Sequence, residues 1–545
     1  QGGCSTISGG ECNSITTQRS FVGNGLENTA DSDSGVVLNI SGNTGTKTIV
    51  TTSPVGGTSS GSGVGATFTV AIVSGNVIVL DIENPGSGYQ VDEIISLTSL
   101  PPLNQNLDLL VQKVGVGYSN VVNGECNVTD GVYSTVLNGE QNTASGTSAT
   151  VVGGRFNCVS SVCGFIANGC GNTVSGPVSS ILGGLSNDNS GSNAVLGGGF
   201  NNTLSNISSV LVGGSKQVGS GCLSFLGGGD NNTTSGSHST IGGGKCNTAS
   251  ALYSLVGGGY CNTASAYRGS VVGGCCNTAS SSNSFVGGGA NNTATGNFSF
   301  IGGGDRNNSS NFFSSVVGGC CNTASGADYI VGGGCQNQAS GLDSIVVGGV
   351  RNCSTTTRSI VVGGNCNRAT NTESTVIGGN CNISSGIRSL VLNGSGNTAS
   401  GRVSIVGGID NTASGTYSSI LNGTGNTVST SNSIISNGLD SQIIDTACYS
   451  NIVGGSENNI VEEGCFSGIL GGYRNCILGE YSGILGGSGN TISATCSFIV
   501  GNLISADRNN TTFVNNLSIK NIPTSSAGLP SGSVWSNSGV LNIVS

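Results

Sequence analysis

The sequence predicts an all-β protein, a parallel β-solenoid (β-roll) of 15-residue coils. Three observations carry this expectation. Asn recurs in steps of 15 from Asn127 to Asn397, and Gln217 alone interrupts the series. A fixed period of this kind marks units that stack on their neighbours and do not fold alone. Each period sets apolar, largely β-branched residues between Gly and Asn, the pattern of short strands and tight turns. Fifteen residues hold two short strands but not two helices, and strong helix formers do not dominate. With 97 Gly and 8% charged residues, the chain would read as a disordered linker if the period were absent.

Taking Asn as position 0, the unit reads N-T-A-S-G-x-x-S-x-V-x-G-G-x-x, as in Asn262-Thr263-Ala264-Ser265 leading to Val271-Val272-Gly273-Gly274. The first strand, at positions 1 and 2, sets a polar residue beside a small one (Thr248-Ala249, Thr263-Ala264), so one face is buried and the other wet. The second strand carries apolar residues at positions 8 and 9: Leu255-Val256, Phe285-Val286, Ile330-Val331, Ile345-Val346, Ile405-Val406. Adjacent strand residues point to opposite faces. Both faces are therefore expected to be covered, one inside the coil and one by a second copy of the chain. The Gly pair at positions 11 and 12 predicts a turn with positive φ or close backbone approach. The Asn column, with Asn247, Asn262, Asn277, Asn292, Asn307 and Asn322 as its most regular run, reads as an internal ladder bonded to the coils on either side. The rival reading is a row of outward, ligand-binding amides.

Four segments are expected. Residues 1–30 form leading coils around Asn13 and Asn28. Residues 31–115 interrupt the period and form an inserted antiparallel β module, with a hairpin running through Thr67–Val73, Ser74-Gly75-Asn76 and Val77–Ile82. The module is a candidate recognition head or lateral contact, or else a packing or capping domain. Residues 116–504 form the main solenoid, a rod of roughly 120 Å at about 4.8 Å per coil. Its spacing turns irregular after Asn397, where Ser441 replaces Asn and steps of 17 precede Asn458 and Asn475, predicting bulges or short loops. Residues 505–545 form a C-terminal tail or cap with Trp535, the only Trp.

The repeat S-x-V-x-G-G-x-x-N-T-A-S-G-x-x-S, from Asn127 to about Gly501, resembles the YadA-like head repeats of trimeric autotransporter adhesins. Similar repeats occur in fibre-like structural proteins of phages and giant viruses. The resemblance implies a trimeric left-handed β-roll. The string Pro85-Gly86-Ser87-Gly88-Tyr89 and its continuation resemble small β modules of virion structural proteins. The segment Asn521-Ile522-Pro523-Thr524-Ser525-Ser526-Ala527-Gly528-Leu529-Pro530 resembles the C-terminal ends of phage and giant-virus fibre or capsid-associated proteins. One departure stands out: bacterial heads of this type are nearly free of Cys, and this chain has 21. No heptad stalk or membrane-anchor segment is visible.

The chemistry in the sequence is sparse. A net charge of −10, from 16 basic and 26 acidic residues, provides no basic face for nucleic acid. No apolar run is long enough for a transmembrane helix, so no membrane insertion is expected. The chain starts at Gln1 without Met, and a leader segment before it is expected. The one His, His238, lies between strands with no converging acid–base partners in sequence. Asp230, Asp305 and Asp410 are too widely spaced for a calcium β-roll, and the Gly runs have no following helix to make a phosphate loop. No catalytic, cofactor or metal residues are expected. Sequons such as Asn206 and Asn516 are open to glycosylation only where they face outward.

The cysteines fall in columns beside the Asn. Position −1 includes Cys246, Cys261, Cys276, Cys366 and Cys381, and position −2 includes Cys320 and Cys335. Equivalent residues on adjacent coils lie about 4.8 Å apart, within the Cα range of a disulfide. Either i,i+15 bridges or stacks of buried thiols follow. The expected function is a non-enzymatic trimeric fibre, a virion-surface or tail-fibre-like attachment protein. Its expected partners are other virion or filament proteins and a host-surface glycan or receptor. The alternatives are a microbial adhesin or extracellular filament subunit, and a ligand- or ice-binding β-roll.

Overall fold

The computed structural model describes residues 119–545 except 519, 538, 539 and 545, and, before them, the strands alone in their backbone course. Among the described residues the chain is all-β, a parallel solenoid of about 26 coils of roughly 15 residues. It divides into two units, Gln1–Arg306 and Asn307–Ser545.

In the first unit nearly every coil contributes two two-residue strands (Phe21–Leu26 and Asn120–Glu125 are longer), and each strand pairs in parallel with its equivalent on the next coil. Thr263–Ala264 pairs with Thr248–Ala249 and with Thr278–Ala279, and Ser270–Val271 lies between Leu255–Val256 and Phe285–Val286. Position 13 adds a third line of contact through single bridges such as Lys245 to Tyr260 and Tyr260 to Cys275. The leading coils join the same stack. Phe21 and Val22 pair with Asn120 and Val121, and Thr29 and Ala30 pair with Val128 and Thr129. The coil register thus continues across the insertion. The insertion itself holds five strands, Val55–Ser59, Val64–Val73, Asn76–Ser87, Ile94–Leu100 and Gln105–Leu110. All their pairings are antiparallel, and the hairpin read from the sequence is the pairing of Val64–Val73 with Asn76–Ser87.

The second unit repeats the scheme and then departs from it. Ile405–Val406 pairs with Ser419–Ile420 one residue early, and Gln442–Ile443 pairs with Asn459–Ile460 across a step of 17. The extra residues stay out of the strands and enlarge the turns around 445–449 and 462–466. Coil pairing runs on past residue 505, where the sequence suggests the tail begins, as far as Thr512–Val514. A final antiparallel pair, Val534–Asn537 with Val540–Ile543, follows.

The core is thin and made of small residues. Ala264 at position 2, Val271 at position 9 and Asn262 at position 0 are all fully buried, as are their equivalents in the second unit, such as Ala339 and Val346. Position 7 is commonly a buried Ser, for example Ser284 and Ser344. A coil with Ala at position 2 therefore buries one large aliphatic side chain, at position 9, about 1.5–3 kcal/mol of transfer energy, and depends on hydrogen bonds to its neighbours for the rest; coils with Leu204 or Ile443 at position 2 bury a second.

Those bonds run in two directions. Thr263, Val272 and Cys275 donate their N–H forward, to Asn277, Val286 and Gly289 carbonyls at 2.8–2.9 Å. Residues at positions 6 and 14 take a left-handed backbone, as at Arg268 (φ 54°) and Cys276 (φ 56°). This conformation turns the peptide over, and their N–H groups donate backward, to Leu252 at 3.1 Å and Tyr260 at 2.8 Å. Left-handed geometry costs a non-Gly residue roughly 1–2 kcal/mol. The backward bonds offset that cost and tie each coil to both neighbours.

Candidate functional site

The interior column is a hydrogen-bonded ladder. The backbone N–H of Asn262 donates to Asn247 Oδ1 at 2.9 Å, and Asn262 Oδ1 accepts from the N–H of Asn277 at 3.0 Å. Its Nδ2 donates to the carbonyls of Gly258 (2.8 Å) and Gly274 (2.9 Å). Asn277 and Asn292 repeat this pattern in the first unit, and Asn322 accepts from Asn337 N–H at 2.9 Å in the second. All six Asn singled out from the sequence, Asn307 included, are at most 1% exposed. None is an outward ligand-binding amide.

Two substitutions show what the ladder needs. Gln217 keeps the acceptor, taking the N–H of Asn232 at 3.1 Å, but its Nε2 is buried without a partner. Ser441 also keeps the acceptor, its Oγ taking the Asn458 N–H at 3.2 Å, but has no amide to reach the carbonyls.

The cysteine columns lie on the outside of the coils. Cys246, Cys261, Cys276, Cys366 and Cys381 all have left-handed backbones, with φ of 53–56°. Cys276 and Cys381 are exposed, and Cys246, Cys261, Cys320, Cys335 and Cys366 are half-buried. Buried thiol stacking therefore does not describe them. Every described Cys is a free thiol, and the i,i+15 bridges are not formed. Cys320 and Cys335 are direct strand-bridge partners, yet Cys320 makes its sulfur contact with its chain neighbour Cys321, at 3.2 Å. In-register stacking holds the Cβ atoms of a column parallel at about 4.8 Å, whereas a disulfide draws them to about 3.8 Å. Sequence spacing supplied the Cα distance but not the direction of the side chains. Burial and the neighbouring Cys366 push the Cys381 thiol up, and burial does the same at Cys158, Cys353 and Cys476. These thiols stay protonated at neutral pH and are poor nucleophiles.

His238 is exposed in a turn, its Nδ1 3.1 Å from Ser237 Oγ and its ring 4.9 Å from Tyr253. Asp230 is held by Lys245 at 3.2 Å and Asp305 by Arg306 at 2.9 Å. Among the described residues no group of three or more His, Cys, Asp or Glu is placed to hold a metal ion. No helix there is long and apolar enough to cross a membrane.

The outer faces of the two sheets differ. Outside the first strand lie Thr and Ser, as at Thr248 and Ser250 or Thr263 and Ser265. Outside the second strand lie positions 8 and 10, on either side of the buried position 9; in most coils at least one of them is a large apolar residue, while the other is often Ser, Thr or Gly. In the first unit Phe225, Leu255 and Phe300 at position 8 are 38–41% exposed, and Leu182, Val212 and Val272 at position 10 are 50–53% exposed. Phe285 and Phe300 stack in register at 5.4 Å. In the second unit Ile330 and Ile434 at position 8, and Val317, Val347 and Leu421 at position 10, are 40–54% exposed. The face expected from sequence to be covered is open in the single chain.

The sequence reading missed a second local feature. Tyr449, Phe466 and Tyr481 stack with ring centroids 5.0 Å apart and planes within 5° of parallel. They wall a groove of about 480 Å³ floored by Asn451, Gly468 and Gly483. Beside the stack, Cys448 and Cys465 approach to 2.8 Å between sulfurs. Tyr449 to Phe466 and Cys448 to Cys465 are steps of 17, and only Phe466 to Tyr481 keeps the step of 15, so columns drawn at the main period do not align either group in full.

No protein-family model matches the chain, and no curated protein matches it.

Proposed function

We propose that the chain is the subunit of a non-enzymatic, homotrimeric structural fibre, a virion-surface or tail-fibre-like attachment protein that meets a host-surface glycan or receptor. The observation that carries the assembly is the exposed apolar side chain that most coils place at position 8 or 10 of one sheet, while the other sheet presents mainly Thr and Ser. Apolar surface repeated coil after coil in this way marks an interaction face. A partner that covers it must present apolar groups at the same spacing of about 4.8 Å over many coils, and a parallel copy of this chain does so. Three copies, the fibre role and the virion setting follow the YadA-like repeats and the Asn521–Pro530 segment. The buried ladder fits a scaffold better than a catalyst.

The test is the mass of the purified full-length chain by light scattering coupled to size exclusion. Three times the 53.5 kDa chain mass is the expected result. A folded species of single-chain mass, stable across dilution, overturns the reading.

A further inference from the structure

We propose that Cys448 and Cys465 are a disulfide-forming pair that joins the two enlarged turns of consecutive 17-residue coils. The two residues occupy equivalent places, each just before a left-handed aromatic residue, Tyr449 and Phe466. Their sulfurs lie 2.8 Å apart on different coils. The sulfur contacts of Cys275 with Cys276 at 3.3 Å and Cys320 with Cys321 at 3.2 Å join chain neighbours instead. The thiols are also oriented. The Cys448 N–H donates to Cys465 Sγ at 3.1 Å, and the Cys465 S–H donates to the Thr446 carbonyl at 2.8 Å. A disulfide at about 2.04 Å requires the sulfurs to close by less than about 1 Å.

The larger turns make this possible where the regular columns do not. In a 15-residue coil the position −1 cysteines sit in register and their side chains run parallel. The extra residues at 445–449 and 462–466 release the chain from that register and let two side chains converge. The place also has a structural need. Ser441 leaves the ladder without its amide donors at the start of the enlarged coils.

The step balances with a small-molecule disulfide such as oxidised glutathione as oxidant. One cysteine thiolate attacks a sulfur of the oxidant, breaks its S–S bond and releases a thiolate. The second cysteine then attacks the mixed disulfide and releases the other thiolate. Two protein thiols lose two electrons and two protons, and the oxidant becomes two thiols. Both cysteines are half-buried, within reach of such a molecule. Burial, reinforced by Cys448, pushes the Cys465 thiol up, so oxidation should speed up as pH rises.

The experiment uses the full-length chain, equilibrated with oxidised glutathione, alkylated without reduction and cleaved after glutamate. Glu457, Glu462 and Glu463 lie between the two cysteines, so complete cleavage separates them unless they are joined. The expected result is one species carrying both cysteine peptides, with Cys366 and Cys381 alkylated separately. Separate alkylation of Cys448 and Cys465, or glutathione on either without joined peptides, overturns the proposal. A second readout is the initial rate of cleavage after Glu462 and Glu463 in the folded chain. The oxidised chain should be cut several-fold more slowly than Cys448→Ser, and dithiothreitol should erase the difference. Equal rates before reduction also overturn it.

Discussion

The Asn ladder makes each amide answer to three neighbours, which sets the cost of changing one. Asn262→Ala strands the N–H of Asn277 and frees the Gly258 and Gly274 carbonyls. The expected loss is about 3 kcal/mol by chemical denaturation. Asn262→Ser should lose less, because Ser441 shows that a hydroxyl can keep the acceptor. Equal losses would mean that the acceptor carries little weight. Conversely, Gln217→Asn gives the orphaned Nε2 a shorter, paired replacement and should stabilise by about 1 kcal/mol. The Gly-Gly pair splits in the same manner. Gly274 has φ +92°, and a Cβ there would meet the Gly289 oxygen at 2.1 Å and Asn277 Nδ2 at 2.6 Å. A Cβ on Gly273 would meet nothing within 4 Å. Gly274→Ala should cost on the order of 3 kcal/mol and Gly273→Ala almost nothing, a contrast that paired melting curves resolve.

Strands of two residues cannot stand alone, and the coil is the unit that matters. Its outward positions carry interactions that repeat coil by coil. On one edge of the second unit Glu373 lies between Arg358 at 3.3 Å and Arg388 at 2.6 Å. The Arg388 hydrogen bond and charge hold the Glu373 carboxyl below its usual 4.5. A carboxylate lowered by folding contributes stability that is present above about pH 4.5 and lost as pH falls through the lowered value. Exposed pairs of this kind contribute little, so the effect is small. Acid-unfolding curves of wild type and Glu373→Gln should differ above pH 4.5 and converge in stronger acid; a difference that grows with acid would refute the pairing. On the apolar face, Ile345 and Ile405 stand at position 8 with their neighbours Val346 and Val406 fully buried. The double variant Ile345→Asp with Ile405→Asp should keep its β-type circular dichroism and lose self-association. An assembly as large as wild type would place the interface elsewhere.

The larger architecture tolerates interruption because register is local. Phe21 and Val22 pair directly with Asn120 and Val121 although the whole inserted module separates them in sequence. Deleting 31–114 leaves Gly115–Ser119 between Ala30 and Asn120, as many residues as Ser265–Gly269 between Ala264 and Ser270. The expected outcome is an unchanged melting transition for the coils and weakened attachment or lateral association. Loss of the coil transition on deletion would assign the module a capping role.

The period, the two strands per coil, the inserted hairpin and the inward Asn were legible in the sequence. Each is a one-dimensional pattern: Asn every 15 residues, Ala264 beside Thr263, Val271 between outward neighbours. Stacking repeats such a pattern in space without needing contacts that are remote in sequence. What the sequence did not disclose depends on direction more than on spacing. The Cys366 and Cys381 column has the spacing of a bridge, yet both are free thiols. Only the first of two adjacent glycines, Gly273, has room for a Cβ. The backward bonds of Arg268 and Cys276 require peptides turned over by left-handed φ, which no residue preference announces. Cys448 and Cys465 meet in two enlarged turns that are out of step with the main period, and that contact exists only once the coils are stacked.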